Sequence, residues 1–116
     1  MTLRLPETEA RYQADIVAGK TQSLQDVEPR REWKYWKLIP NKYPHDRLYA
    51  YHDLLIPKRM LATLRETKPK ELEEYIEITT RALVDDYDCV FINFPSKQTI
   101  RTLFHAHLGV FKDEIK

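Results

Sequence analysis

Residues 102–111 read Thr-Leu-Phe-His-Ala-His-Leu-Gly-Val-Phe, and how this stretch is read decides the fold. In an extended chain, successive side chains point to opposite faces. Leu103, His105, His107 and Gly109 then share one face, while Phe104, Ala106, Leu108 and Val110 share the other. The second face is apolar throughout and belongs against a core. The first carries two imidazoles side by side, toward an open surface or a cleft. The stretch predicts a final strand with packing on one side and chemistry on the other.

The segments before it complete a small α+β pattern. Residues 93–97 form a polar loop around Pro95, and residues 89–92 read as a short buried strand. Asp85, Asp86 and Asp88 mark a turn. Upstream, Leu72, Tyr75, Ile76 and Leu83 recur at helical spacing, with Thr79 on the same face. Pro69 suits the first helical position, and Glu71, Glu73 and Glu74 suit the positive end of the helix dipole. Residues 60–66 allow one or two helical turns. Residues 48–56 read as a strand whose continuous apolar run, Leu54, Leu55 and Ile56, suits the middle of a sheet; Pro57 ends it. Residues 33–39 form another strand by their aromatic and branched content, closed by Pro40, Asn41 and Pro44. Residues 1–30 are polar and weakly periodic. They predict an arm, with a short helix around residues 7–17, attached to a domain spanning residues 31–116.

Bulk properties exclude several classes. The chain has 116 residues, 42% hydrophobic and 32% charged, with two glycines, which describes one soluble globular domain. Nineteen basic and 18 acidic residues leave a net charge of +1, too balanced for general nucleic-acid binding. Cys89 is the single cysteine, so no intrachain disulfide is possible. No stretch is long and apolar enough to span a bilayer, and residues 1–5 lack the apolar run of a signal peptide. A cytoplasmic location, without a membrane partner, is the expectation.

Two strand histidines of one face lie within reach of one small ligand. Imidazole exchanges protons near neutral pH and can attack phosphorus to form a covalent intermediate. The competing reading is polar filler on a solvated face. A metal centre would need a third and often a fourth ligand at the right distance, and neither Cys89 nor an acidic cluster supplies one, so no metal and no cofactor are expected. His52, with Lys58 and Arg59 beyond Pro57, can face phosphate or carboxylate. His45, between Pro44 and Asp46, reads as a solvated loop residue without a role. Asn93, Gln98 and Thr99 offer amide and hydroxyl groups to phosphate oxygens, or are ordinary loop residues. No glycine-rich phosphate loop is present.

Three stretches together resemble the histidine-triad (HIT) superfamily. Residues 36–44, Trp-Lys-Leu-Ile-Pro-Asn-Lys-Tyr-Pro, are similar to its strand and asparagine-proline loop. Residues 52–59, His-Asp-Leu-Leu-Ile-Pro-Lys-Arg, are similar to its His-x-x-x-Ile-Pro-Lys-Lys/Arg segment. Asn93, Gln98-Thr-Ile100 and His105-Ala-His-Leu108 follow its asparagine, its Gln-Ser/Thr-Val/Ile element and its His-x-His-x-His motif. The resemblance covers residues 33–112. It implies a small, mostly antiparallel sheet with one long and one short helix. It also implies a nucleotide hydrolase or nucleotidyl transferase acting at the α-phosphate through a covalent nucleotidyl-histidine, and a possible homodimer.

In that resemblance the triad is incomplete. Counting from Thr99 places its first position at Leu103, with His105 as nucleophile and His107 last. The competing register makes His107 the nucleophile and puts Gly109 in the last place. The resemblance further implies that His107 assists at phosphate or leaving group and that His52 supports the nucleophile's ring. Asn93, Gln98 and Thr99 would place phosphate, and Asn41 would line the ribose and base pocket. With one imidazole missing, the alternative is a catalytically weak or inactive nucleotide-binding protein of the same fold.

Overall fold

The structure is a computed structural model that describes residues 2–97, 100 and 102–114. Gln98 and Thr99, both expected near phosphate, lie outside the described residues. The described strands form one five-stranded antiparallel sheet in the order β1-β2-β3-β5-β4. They are β1 (Arg31–Glu32), β2 (Trp36–Pro40), β3 (Tyr49–Pro57), β4 (Cys89–Phe91) and β5 (Ala106–Phe111). With the helices α1 (Pro6–Val17) and α2 (Pro69–Glu77), this is an α+β fold.

β3 occupies the centre of the sheet, where its apolar run is covered on both faces. Leu54, Leu55 and Ile56 are all buried. β5 lies beside it in antiparallel register, pairing His107 with Leu54 and Gly109 with His52. The alternation expected for β5 holds. Phe104, Ala106 and Leu108 pack with Trp36, Leu38, Leu55, Tyr75, Ile78 and Leu83 beneath α2. Leu103 packs on the other face with Ile39, Leu54 and Ile56. The strand itself is shorter than expected, because residues 102–105 run into it without pairing.

α2 begins at Pro69, and the Glu71 carboxylate accepts the Lys68 backbone N–H at 2.7 Å. The helix then widens into a π turn over Ile78–Ala82. Its buried stripe is Glu71, Tyr75, Ile78 and Leu83. Leu72 and Ile76, expected in that stripe, are 38% and 50% exposed instead. Trp36 decides this rotation. Its indole N–H donates to the Glu71 carbonyl at 2.8 Å, and its ring packs on Tyr75 at 5.0 Å, so those positions face the sheet.

Other expectations need correction. Residues 33–35 turn between β1 and β2 rather than extending the strand. Among the described residues β4 is an edge strand, paired only with β5, so Val90 is exposed and the strand is not buried. Residues 60–66 make a 3-10 turn only at Leu64–Glu66. Arg59 turns away from the histidines and pairs with Glu71 at 2.8 Å, holding that carboxyl down at about 2.

α1 opens with Pro6 and carries Glu7 and Glu9 in its first turn. It ends in a Schellman turn. Gly19, at φ +69°, and Lys20 donate back to the carbonyls of Ile16 and Asp15 at 3.1 and 2.8 Å. α1 docks on the loop between β2 and β3. Leu5 N–H donates to Asp46 at 2.8 Å, Thr8 hydrogen-bonds the same carboxylate, and Tyr43 donates to Asp15 at 2.6 Å. Leu24 and Val27, further along, pack on the Ile39–Leu54–Ile56–Leu103 cluster. Among the described residues no helix is long and apolar enough to cross a membrane.

Candidate active site

β3 and β5 bring His52 and His107 together, and the loop after β2 adds His45. His105 stands at the threshold of β5. The backbone settles the protons on this cluster. The His45 backbone N–H donates to His52 Nδ1 at 2.9 Å, so that nitrogen carries a lone pair. In the neutral ring the proton is then on Nε2, which donates to His107 Nδ1 at 2.9 Å. His107 must in turn carry its proton on Nε2. Among the described residues, neither that buried atom nor the buried His45 Nδ1 has a hydrogen-bond partner. His105 is oriented the other way. Its Nδ1 lies 3.1 Å from the Leu103 carbonyl, which can only accept, so the proton is on Nδ1 and the lone pair on Nε2.

Burial keeps all four rings neutral. It lowers His52 to about 3 and His107 to about 2, with neighbouring imidazoles and Arg4 adding to the effect. His45 and His105 are lowered in the same direction by the same cause; the Leu103 carbonyl partly opposes it at His105. Phe91 of β4 stacks flat on His107, with ring centroids 4.3 Å apart. Asn41 positions His52. Its carbonyl accepts the Tyr43 backbone N–H at 3.0 Å, which leaves its amide nitrogen 3.3 Å from His52 Nδ1.

His45, His105, His107 and Asn41 line a cleft of about 270 Å³, with His52 behind them. His45, His105, His107, Asn41 and Asn93 form its polar wall, and residues of the first thirty, Arg4 and Tyr12 among them, form its roof. His105 and His107 are 8% and 5% exposed, so the histidine face is a recess rather than an open surface.

No family model matches the chain, and no curated protein matches it by sequence. Solved structures do match. A histidine triad protein from Clostridium difficile superposes with a TM-score of 0.53 at 20% identity, covering 88% of this chain and 90% of that one. A HIT family hydrolase from Legionella pneumophila Philadelphia 1 gives 0.55 at 20% identity, covering 87% and 92%. The chain has the histidine-triad fold.

Within that fold, His52, His105, His107, Asn41 and Asn93 come from separate segments to one place. His52 engages His107 directly and not His105. His45 is the residue that sequence reasoning missed. It is half-buried, with its ring 4.7 Å from His52 and 5.4 Å from His107. Only its position beside Asn41 and Pro44, in a loop between two strands, hinted at this. Gly109 bears on the competing register. A Cβ there would lie 2.4 Å from the Tyr49 ring, so the place of a third histidine is filled by Tyr49.

The nitrogens of His45, His52 and His107 that could bind a metal lie within 4.8 Å of one another. The donor set does not suit an ion as arranged. His52 Nδ1 already accepts a backbone N–H, so binding through Nε2 would require the ring to give up its last proton. Hydrogen bonds join the three residues, His45 through its backbone N–H and His52 to His107 through their rings.

Proposed function

We propose that this cleft binds the phosphate of a nucleotide conjugate and that His105 attacks its α-phosphorus, making the protein a nucleotide hydrolase or nucleotidyl transferase. The observation that carries this reading is the Nδ1–H of His105 held on the Leu103 carbonyl. It aims an unprotonated Nε2, kept neutral by burial, as a nucleophile must be. The opposite tautomer of His107 makes that ring a donor, which argues against its being the attacking group.

In the proposed step the Nε2 lone pair of His105 forms an N–P bond, and the bond from phosphorus to the leaving group breaks. The leaving group departs with that electron pair and takes a proton from solvent, and the water that attacks in the second step returns one to solvent. His107 Nε2–H donates to a phosphate oxygen and gains the partner it lacks. Water or another acceptor then attacks phosphorus, the N–P bond breaks, and His105 recovers its lone pair. His45 N–H, His52 and His107 form a chain that keeps the donor pointed and protonated. Asn93 in the cleft wall, with Gln98 and Thr99 following it in sequence, would bind phosphate oxygens. Asn41 would contribute both to the pocket and to the orientation of His52.

A non-catalytic nucleotide binder is the second reading. It is favoured by Leu103, buried with Ile39, Leu54 and Ile56 where the family resemblance asks for an imidazole. Incubation with a nucleoside phosphoramidate separates the two. The enzyme reading expects product, and an acid-labile adduct on His105 detectable by mass spectrometry, both abolished in His105→Ala. Nucleotide binding with neither product nor adduct would leave the binder.

A further inference from the structure

A phosphate entering this cleft needs positive charge, and the imidazoles are neutral there. Among the described residues that line the cleft, Arg4 is the one permanently charged side chain. It does not belong to the sheet that carries the histidines. It arrives on the segment before α1, and several contacts hold that segment in place. Arg4 Nε donates to the Tyr43 carbonyl at 2.8 Å, and its guanidinium lies over the Tyr12 ring at 4.3 Å. On either side, the Leu3 carbonyl accepts Arg47 N–H and Leu5 N–H donates to Asp46. The side chain is 17% exposed, so it is placed rather than dangling.

We infer that Arg4 is the phosphate-binding cation of the histidine cleft, and that residues 1–30 act as an arm that completes the site. This rests on the nucleotide reading above and assigns the charge that reading lacks. The Arg4 contact with Glu9 is a single part-buried bond at 3.3 Å that can be exchanged for a phosphate oxygen. The Tyr43 carbonyl keeps Nε engaged meanwhile, so the guanidinium pivots on a fixed point. Charge-assisted contacts from a guanidinium suit the tetrahedral oxygens of phosphate. The arrangement also protects that hydrogen-bonded chain, because a cation beside His45, His52 and His107 disfavours their protonation.

Calorimetric binding of adenosine monophosphate and of adenosine to the full chain tests the assignment. Arg4→Gln should weaken the monophosphate by about 10- to 100-fold, the loss of one or two charge-assisted bonds, and leave adenosine unchanged. Arg4→Lys should restore part of the loss. Glu9→Gln, which removes the competing carboxylate, should tighten the monophosphate by up to about fivefold. Equal monophosphate affinity in Arg4→Gln and wild type, or equal losses for both ligands, would overturn the role of Arg4 while leaving the nucleotide site standing. If Arg4→Gln does not fold, Glu9→Gln decides: no gain for the monophosphate refutes the assignment. A wild-type chain that binds the monophosphate no better than adenosine would remove the phosphate site itself, and Arg4's role with it.

Discussion

The two faces of the sheet are built from the same strands and solve opposite problems. Beneath α2, the side chains of β2, β3 and β5 meet Tyr75, Ile78 and Leu83 in an apolar cluster that includes the fully buried Trp36. Across the sheet, His52, His105 and His107 stand next to a cleft, and the cover is an N-terminal segment held by polar contacts to Tyr43 and Asp46. The first face owes its stability to removal of apolar surface from water. The second leaves buried imidazole nitrogens without partners among the described residues, at a cost in stability. Alternation along a strand allows both in ten residues, so that a change in the site need not disturb the core.

If that division is real, the largest loss of stability should come from the helix face. Trp36→Ala removes a ring packed on Tyr75 and Phe104 together with its bond to the Glu71 carbonyl. It should cost about 3–5 kcal/mol, read as a lowered midpoint in urea unfolding. The histidine face should respond to pH. His52 and His107 bind protons far less readily folded than unfolded, where histidine titrates near its ordinary value. Between about 3 and 6.5 the unfolded chain therefore holds more protons, and stability must fall as pH falls through that window. The slope is about 1.4 kcal/mol per pH unit for each such ring, so acidification from pH 7 to 5 should remove roughly 2–4 kcal/mol. A denaturation midpoint that stays flat over this range would mean the rings are not buried neutral. The smallest effect belongs to His105→Ala. It deletes one bond to the Leu103 carbonyl and should change stability by about 1 kcal/mol while abolishing the product and adduct that the proposed function expects. A loss as large as that of Trp36→Ala would make the histidine face a second core.

How much of this was legible in the chain varies with the range of the interaction responsible. Leu103, His105 and His107 separate from Phe104, Ala106 and Leu108 by strand geometry alone, and the structure keeps that separation. Pro69 starts α2 and Pro57 ends β3 because proline acts on its immediate neighbours. The helical stripe was misjudged at Leu72 and Ile76, since a π turn and the demand of Trp36 set the rotation. Residues 89–92 read as a buried strand because hydrophobicity does not reveal which strand lies at an edge.

By itself, the sequence determined that an α+β domain would carry two imidazoles on one side of its last strand, through local rules of alternation, helix period and proline. Only the tertiary structure decided what those imidazoles touch. His45 joins His52 and His107 through a loop that has no period to read, and Arg4 reaches the same cleft from the far end of the chain. The proton positions follow from a backbone N–H and a backbone carbonyl placed by the fold, and no pattern of side chains encodes them. Local preferences act over a few residues; the site depends on contacts between segments dozens of residues apart, which exist only once the sheet has closed around its core.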